Sequence, residues 1–173
     1  MTPRKARARR RSPLVGPRGA AAGEAPRAKR PARLRLEVCD AARSRVDRRF
    51  LRRVVRATLA HADRLEMPVS LLLTTDAGIA VLHQEHLDDP TPTDVMSFLV
   101  DGGAEIVVSV DTARRVAREH GHTLRAELAL YVVHGLLHLC GHDDVRAHDR
   151  RRMREAERLV MQRLRLDVHA VDA

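Results

Sequence analysis

The sequence predicts an α+β domain in which a small mixed sheet of about four strands is covered by helices. A candidate metal site falls on a buried helix and the turn that follows it. Three observations predict this class. Apolar spacing switches between a two-residue and a helical period in the order β-α-β-α-β-β-α-α-α. Asp101-Gly102-Gly103 punctuates two strand-like runs as a hairpin turn. The segment 128–140 is apolar on nearly every face, which places that helix in the core.

Leu34 to Cys39 alternates apolar and polar, as a strand with one buried face does. Val46, Phe50, Leu51, Val54, Val55 and Leu59 then recur at helical spacing within 44–62, with Asp40 or Ser44 as the expected cap. Val69 to Thr75 reads as a buried strand, and Asp76 is the expected cap of a short helix reaching Leu87. Pro90 and Pro92 stiffen the loop 88–94, where a fixed φ forbids regular structure. Strands follow at Val95–Val100 and Glu105–Val110. Asp111 is the expected cap of a basic helix stopped by Gly121, and Thr123 opens the apolar helix that Gly141 ends. A charged helix over 146–166 closes the domain, with Met153, Ala156, Leu159, Val160 and Leu164 as its expected inward stripe.

Of the 173 residues, the first 33 hold eleven Lys or Arg against one acid, Glu24, and five prolines. Residues 34–173 hold 21 basic and 22 acidic side chains, so the formal net charge of +9 belongs to the arm. Residues 1–33 are read as a disordered basic arm, because such a segment buries too little apolar surface to offset its ordering entropy. As a polycation it suits salt-sensitive RNA binding, although a plain arginine-rich tail or a misplaced start codon fits the same composition. Residues 34–173 are read as one domain. Two cysteines exclude a disulfide framework and point to a reducing, cytoplasmic setting. No run approaches the roughly 20 apolar residues of a membrane span. One Tyr, two Phe and no Trp exclude a nucleic-acid binder built on rows of stacked aromatics.

His134 and His138 stand four residues apart on the apolar helix, an advance of about 400°, so both imidazoles leave one face. Gly141 reverses the chain and carries His142, Asp143 and Asp144 back over the helix end. One ligand from that turn completes a three-point site and leaves a position for water, the arrangement of a catalytic zinc. A metallopeptidase would carry Glu immediately after the first His; here Gly135 stands there, and its missing side chain is expected to leave room beside the metal for a bulky substrate. Cys39 and Cys140 lie too far apart in sequence for deaminase chemistry. Cys140 is out of phase with the two histidines and is expected to pack in the core, as are Tyr131 and Phe98.

The run His134-Gly135-Leu136-Leu137-His138-Leu139-Cys140-Gly141-His142-Asp143-Asp144 resembles the signature of the bacterial YbeY endoribonucleases, the rRNA maturation factors. Thr93 to Phe98, Glu105 to Ser109, and the closing helix around Met153 and Glu157 are similar to the same family, so the resemblance spans about Leu34 to Leu166. It implies a metal-dependent, single-strand-specific endoribonuclease with one Zn2+, acting in 16S rRNA 3′-end maturation and ribosome quality control. The implied partners are single-stranded RNA, rRNA and the small ribosomal subunit, with no membrane. The implied ligands are His134, His138 and, by its spacing, Asp144 in a place usually held by His; His142 and His148 are rival ligands. A carboxylate there lowers the net charge and makes a bound water slightly less acidic. Leu87 stands where many members carry a phosphate-facing Arg, which leaves Arg114, Arg115 and Arg118 as candidates by position. Asp94 and Ser97 are expected to brace their loop through hydrogen bonds, with capping as the default reading and a place bordering the site as the alternative. The competing class is a ribosome-biogenesis RNA-binding factor with a structural zinc and no catalysis.

Overall fold

The computed structural model describes residues 33–167. The basic arm, apart from Arg33, lies outside the described residues. Four strands and five helices follow in the order β1 (Leu36–Asp40), α1 (Arg48–His61), β2 (Val69–Thr74), α2 (Asp76–Leu87), β3 (Val95–Val100), β4 (Gly103–Ser109), α3 (Val110–Glu119), α4 (Leu124–Leu139) and α5 (Ala147–Leu164). The sheet order is β1-β2-β4-β3. β1, β2 and β4 run parallel, whereas β3 pairs with β4 as the antiparallel hairpin that the 101–103 turn predicts. The class is the α+β architecture with a mixed four-stranded sheet.

Two-residue periodicity divides the sheet's side chains between two clusters. Leu71, Leu73, Ile106 and Val108 join Leu51, Val55, Leu59, Leu128, Val132 and Leu136 in the main core, with α1, α4 and α5 covering that face. Leu72, Met96, Phe98 and Val107 point the other way and meet Ile79 and Leu82 of α2. Tyr131 is buried in the main core and Phe98 packs at the edge of the smaller one. Among the described residues, no helix is long and apolar enough to cross a membrane.

The helix starts differ from the sequence expectation in one consistent way: the residue just before the helix caps it, and the acids do something else. Asp47 caps α1, while Asp40 accepts from the Ser44 amide and hydroxyl and from the Arg45 amide, organising the turn. Arg43 and Arg45 both have positive φ, so no helix can begin at Ser44. Thr75 caps α2 and Ser109 caps α3. Asp76 and Asp111 instead tie those two helix starts together. The Asp76 carboxylate accepts from the hydroxyls of Ser109 and Thr112 and from the Thr112 amide, and Asp111 accepts from the Asp76 amide at 3.2 Å. These bonds hold the Asp76 carboxyl below the usual range, outweighing its partial desolvation.

Thr123 caps α4 as predicted, and Gly141 takes φ +98° beyond its end. On α5 the inward stripe is Met153, Ala156, Val160, Met161 and Leu164; Leu159 is 36% exposed. The physical reason is phase. Relative to Met153, Met161 lies about 80° round the helix and Leu159 about 240°, so the two belong to opposite flanks.

Candidate metal centre

Helix α4 is buried along most of its length between the sheet and the neighbouring helices, so its side chains have fixed positions. Its last two turns carry His134 and His138, each about 30% exposed at the side chain, against 41% for Asp144. Gly135 between them does not clear space for a substrate, contrary to the sequence expectation. A Cβ there would meet Val95 Cγ2 at 3.1 Å, Ile106 Cδ1 at 3.4 Å and Ser97 Cβ at 3.5 Å. The glycine lets the helix lie directly on β3 and β4, which sets how far the two histidines stand from the sheet.

The three sequence candidates meet. His134 Nε2 and His138 Nε2 are 3.0 Å apart, and Asp144 Oδ2 lies 3.9 Å from the first and 3.7 Å from the second. A point equidistant from three such atoms lies roughly 2.1 Å from each, within the Zn–N and Zn–O range. Among the described residues, no other trio of His, Cys, Asp or Glu side chains converges in this way.

Hydrogen bonds at the far side of each ring decide which nitrogen faces inward. His134 Nδ1 is 2.7 Å from Glu157 Oε1, and His138 Nδ1 is 3.1 Å from the His142 carbonyl oxygen. The carbonyl can only accept and the ionised carboxylate does the same, so each Nδ1 carries the proton and donates it. In the neutral rings both Nε2 lone pairs then face each other beside a carboxylate. Three electron-rich atoms at this separation repel unless a cation lies between them. A bound proton or a metal ion answers that requirement, and the donor set of two imidazoles and one carboxylate fits zinc.

The turn sets the position of Asp144. Asp143 accepts from the amides of Asp144 and Val145, and Arg150 donates to the carbonyls of Asp144 and Val145. His142 supplies its backbone carbonyl to His138, and its side chain lines a surface concavity with His61 and His148. His148 is paired with Asp149 at 2.9 Å. Neither rival histidine joins the trio. Burial alone would lower the pKa of His134, but the hydrogen bond and charge of Glu157, with the charges of Asp144 and Asp94, raise it above the ordinary imidazole value. Asp94 itself braces the start of β3 by accepting from the Val95 amide, and its own carbonyl accepts from the Ser109 amide. Cys140 packs against the core, and burial pushes its thiol pKa up.

Glu157 is the functional residue that sequence reasoning left without a role. The signal was present: it falls about 40° from Met153 round α5, inside the apolar stripe, and a carboxylate in such a place needs a partner. Leu87 is exposed at the end of α2. Of the three candidate arginines on α3, Arg114 is paired with Asp111 and Arg115 with Glu119.

Fold and site together define an α+β domain in which two histidines and one carboxylate that could hold a cation converge at the end of a core helix. The family model described as Endoribonuclease YbeY matches residues 38–165, and the chain belongs to the YbeY endoribonuclease family. The Endoribonuclease YbeY of Anaeromyxobacter dehalogenans is 41% identical over 132 residues, covering 72% of this chain and 67% of that protein. That of Heliobacterium modesticaldum is 36% identical over 111 residues, covering 54% of this chain and 67% of that protein. That of Myxococcus xanthus is 39% identical over 119 residues, covering 63% of this chain and 40% of that protein. The solution structure of a Thermotoga maritima protein shares the fold, with a TM-score of 0.55 at 22% identity, covering 75% of this chain and 91% of that one.

Proposed function

We propose that this chain is a zinc-dependent endoribonuclease that cuts single-stranded RNA, with His134, His138 and Asp144 as the ligands of one ion. The family's name supports the endoribonuclease activity. The observation that carries the metal reading is the convergence of the two Nε2 atoms, 3.0 Å apart, with Asp144 Oδ2 at 3.7 and 3.9 Å. When bound, zinc supplies a Lewis acid for a phosphoryl oxygen and makes water acidic enough to react near neutral pH. The chain's own residues do the rest. Glu157 and the His142 carbonyl hold the two Nδ1 protons and so fix both rings; Asp143 and Arg150 fix the turn that presents Asp144. The partial exposure of all three ligands favours a site open to substrate over a closed structural one.

The substrate we assign is the 16S rRNA precursor near its 3′ end, met on the small ribosomal subunit in the cytoplasm, with a second role in ribosome quality control. Residues 34–173 form the catalytic domain in this reading, and the basic arm adds charge-driven RNA affinity. The test is zinc analysis together with cleavage of single-stranded RNA by wild type and a folded His134→Ala protein. Wild type is expected to hold one zinc per chain and to cut; the variant is expected to do neither. Zinc-loaded wild type that binds RNA without cutting it would replace the enzyme with an RNA-binding factor.

A further inference from the structure

A second feature adjoins the metal centre and takes no part in holding it. The end of α1, the His142 turn and the first half of α5 border a shallow, open concavity of about 400 Å³ lined by His61, His142, His148, Arg151, Arg152 and Glu155, with Ala156 and Leu159 at its floor and edge. Its one acid is already engaged: Glu155 takes two bonds from the Arg158 guanidinium, at 2.6 and 2.9 Å. Arg151 and Arg152 form no ion pair among the described residues, and both are exposed. Two permanent cations without an ion-pair partner and three imidazoles therefore border the hollow; its one carboxylate, Glu155, is taken up by Arg158, and His148 is paired with Asp149 beside it. On a domain whose folded part has a net charge near zero, that concentration calls for an anionic ligand.

We propose that this hollow is a phosphate subsite that holds the backbone of the RNA strand next to the bond being cut. The inference rests on the nuclease reading for naming RNA as the source of the phosphate. Guanidinium groups bind phosphate oxygens in bidentate fashion, and the neutral imidazole of His61 can donate one further bond, whereas His148 Nδ1 is already engaged by Asp149 at 2.9 Å. The exposed side chain of Leu159 offers an apolar wall to the sugar of the adjoining nucleotide. Connection to the reaction centre is direct, because His142 lines the hollow with its side chain while its carbonyl fixes His138. A strand held here is thereby held relative to the metal ligands.

The test compares two double variants of the full zinc-loaded chain, Arg151→Gln/Arg152→Gln and Arg115→Gln/Arg118→Gln, which remove equal charge from α5 and from α3. Binding of a labelled single-stranded RNA dodecamer is followed across a salt series, with zinc content measured for each protein. The α5 variant is expected to weaken binding about tenfold and to flatten the log–log salt dependence by roughly 1.4, the loss of two single-strand phosphate contacts. It is also expected to raise KM with kcat unchanged, and to keep its zinc. Equal losses in both variants would reduce the effect to general charge and overturn the subsite. Inorganic phosphate that binds wild type as tightly as the RNA, and is lost in the α5 variant, would assign the hollow to a free anion instead. If wild type binds RNA as described but never cuts it, the nuclease reading fails while the binding difference stands.

Discussion

The chain contains two histidine–carboxylate pairs toward opposite ends of the same helix, and they differ in what lies beyond the bond. Near the start of α4, His122 Nδ1 meets Glu127 Oε2 at 2.9 Å, with both side chains almost fully buried at 3% and 4% exposure. Near its end, His134 Nδ1 meets Glu157 Oε1 at 2.7 Å, with the pair partly open. The first pair is buried and ties the segment before α4 to its first turn. The second directs its remaining nitrogen at His138 and Asp144, and the proposed zinc site rests on that convergence. A histidine held by a carboxylate is common structural material; a site needs the second nitrogen to share a point with other donors.

This contrast is broken most sharply at the open end. His138→Ala removes one of three donors, so zinc content should fall to background and RNA cleavage with it, a loss of at least about 100-fold, with the protein still folded by circular dichroism. At the sealed end, Glu127→Ala leaves His122 buried without its carboxylate. Thermal or denaturant unfolding should show a loss of about 3 kcal/mol, while zinc affinity per folded molecule stays as in wild type. Glu157→Gln lies between these cases. It keeps an acceptor for His134 Nδ1 but loses the charge, and should weaken zinc binding about 10- to 100-fold in a competition titration without a matching loss of stability.

The pH response separates the ends further. Zinc needs His134 neutral, and the raised pKa of His134 lets protons compete at a higher pH than for an ordinary imidazole. Zinc affinity should therefore decline as pH falls, beginning above about 6.5, and Glu157→Gln should move that onset downward. The smallest effect belongs to a remote acid. The depressed pKa of Asp76 means that its contribution is complete above about pH 4 and is lost as pH falls through its folded-state value. Asp76→Asn should cost about 1 kcal/mol at neutral pH and remove part of the acid-induced loss of stability seen in wild type.

Much of this was legible in the chain because it follows from period and spacing. The buried helix shows in the unbroken apolar run 128–140, the hairpin in Asp101-Gly102-Gly103, and the histidine pair in its four-residue step. What was not legible depends on contacts between distant segments. Thr75 and Ser109 take the caps because Asp76 and Asp111 are drawn across to each other's helix, a pairing 35 residues apart in sequence. Gly135 looks like an opening beside the metal until Val95 and Ile106 are seen pressed against it. Glu157 stands 23 residues after the ring it orients, and only the packing of α5 on α4 joins them. Leu159 and Met161 are equally apolar, and a phase difference decides which one is buried.

The most direct measurement is zinc K-edge X-ray absorption, or an anomalous-difference map, on the zinc-loaded protein. The expected result is one ion with two imidazole nitrogens and one carboxylate oxygen at about 2.0–2.2 Å, assigned to His134, His138 and Asp144. An ion held instead through His142 or His148, or a sulfur neighbour near 2.3 Å, would contradict the account.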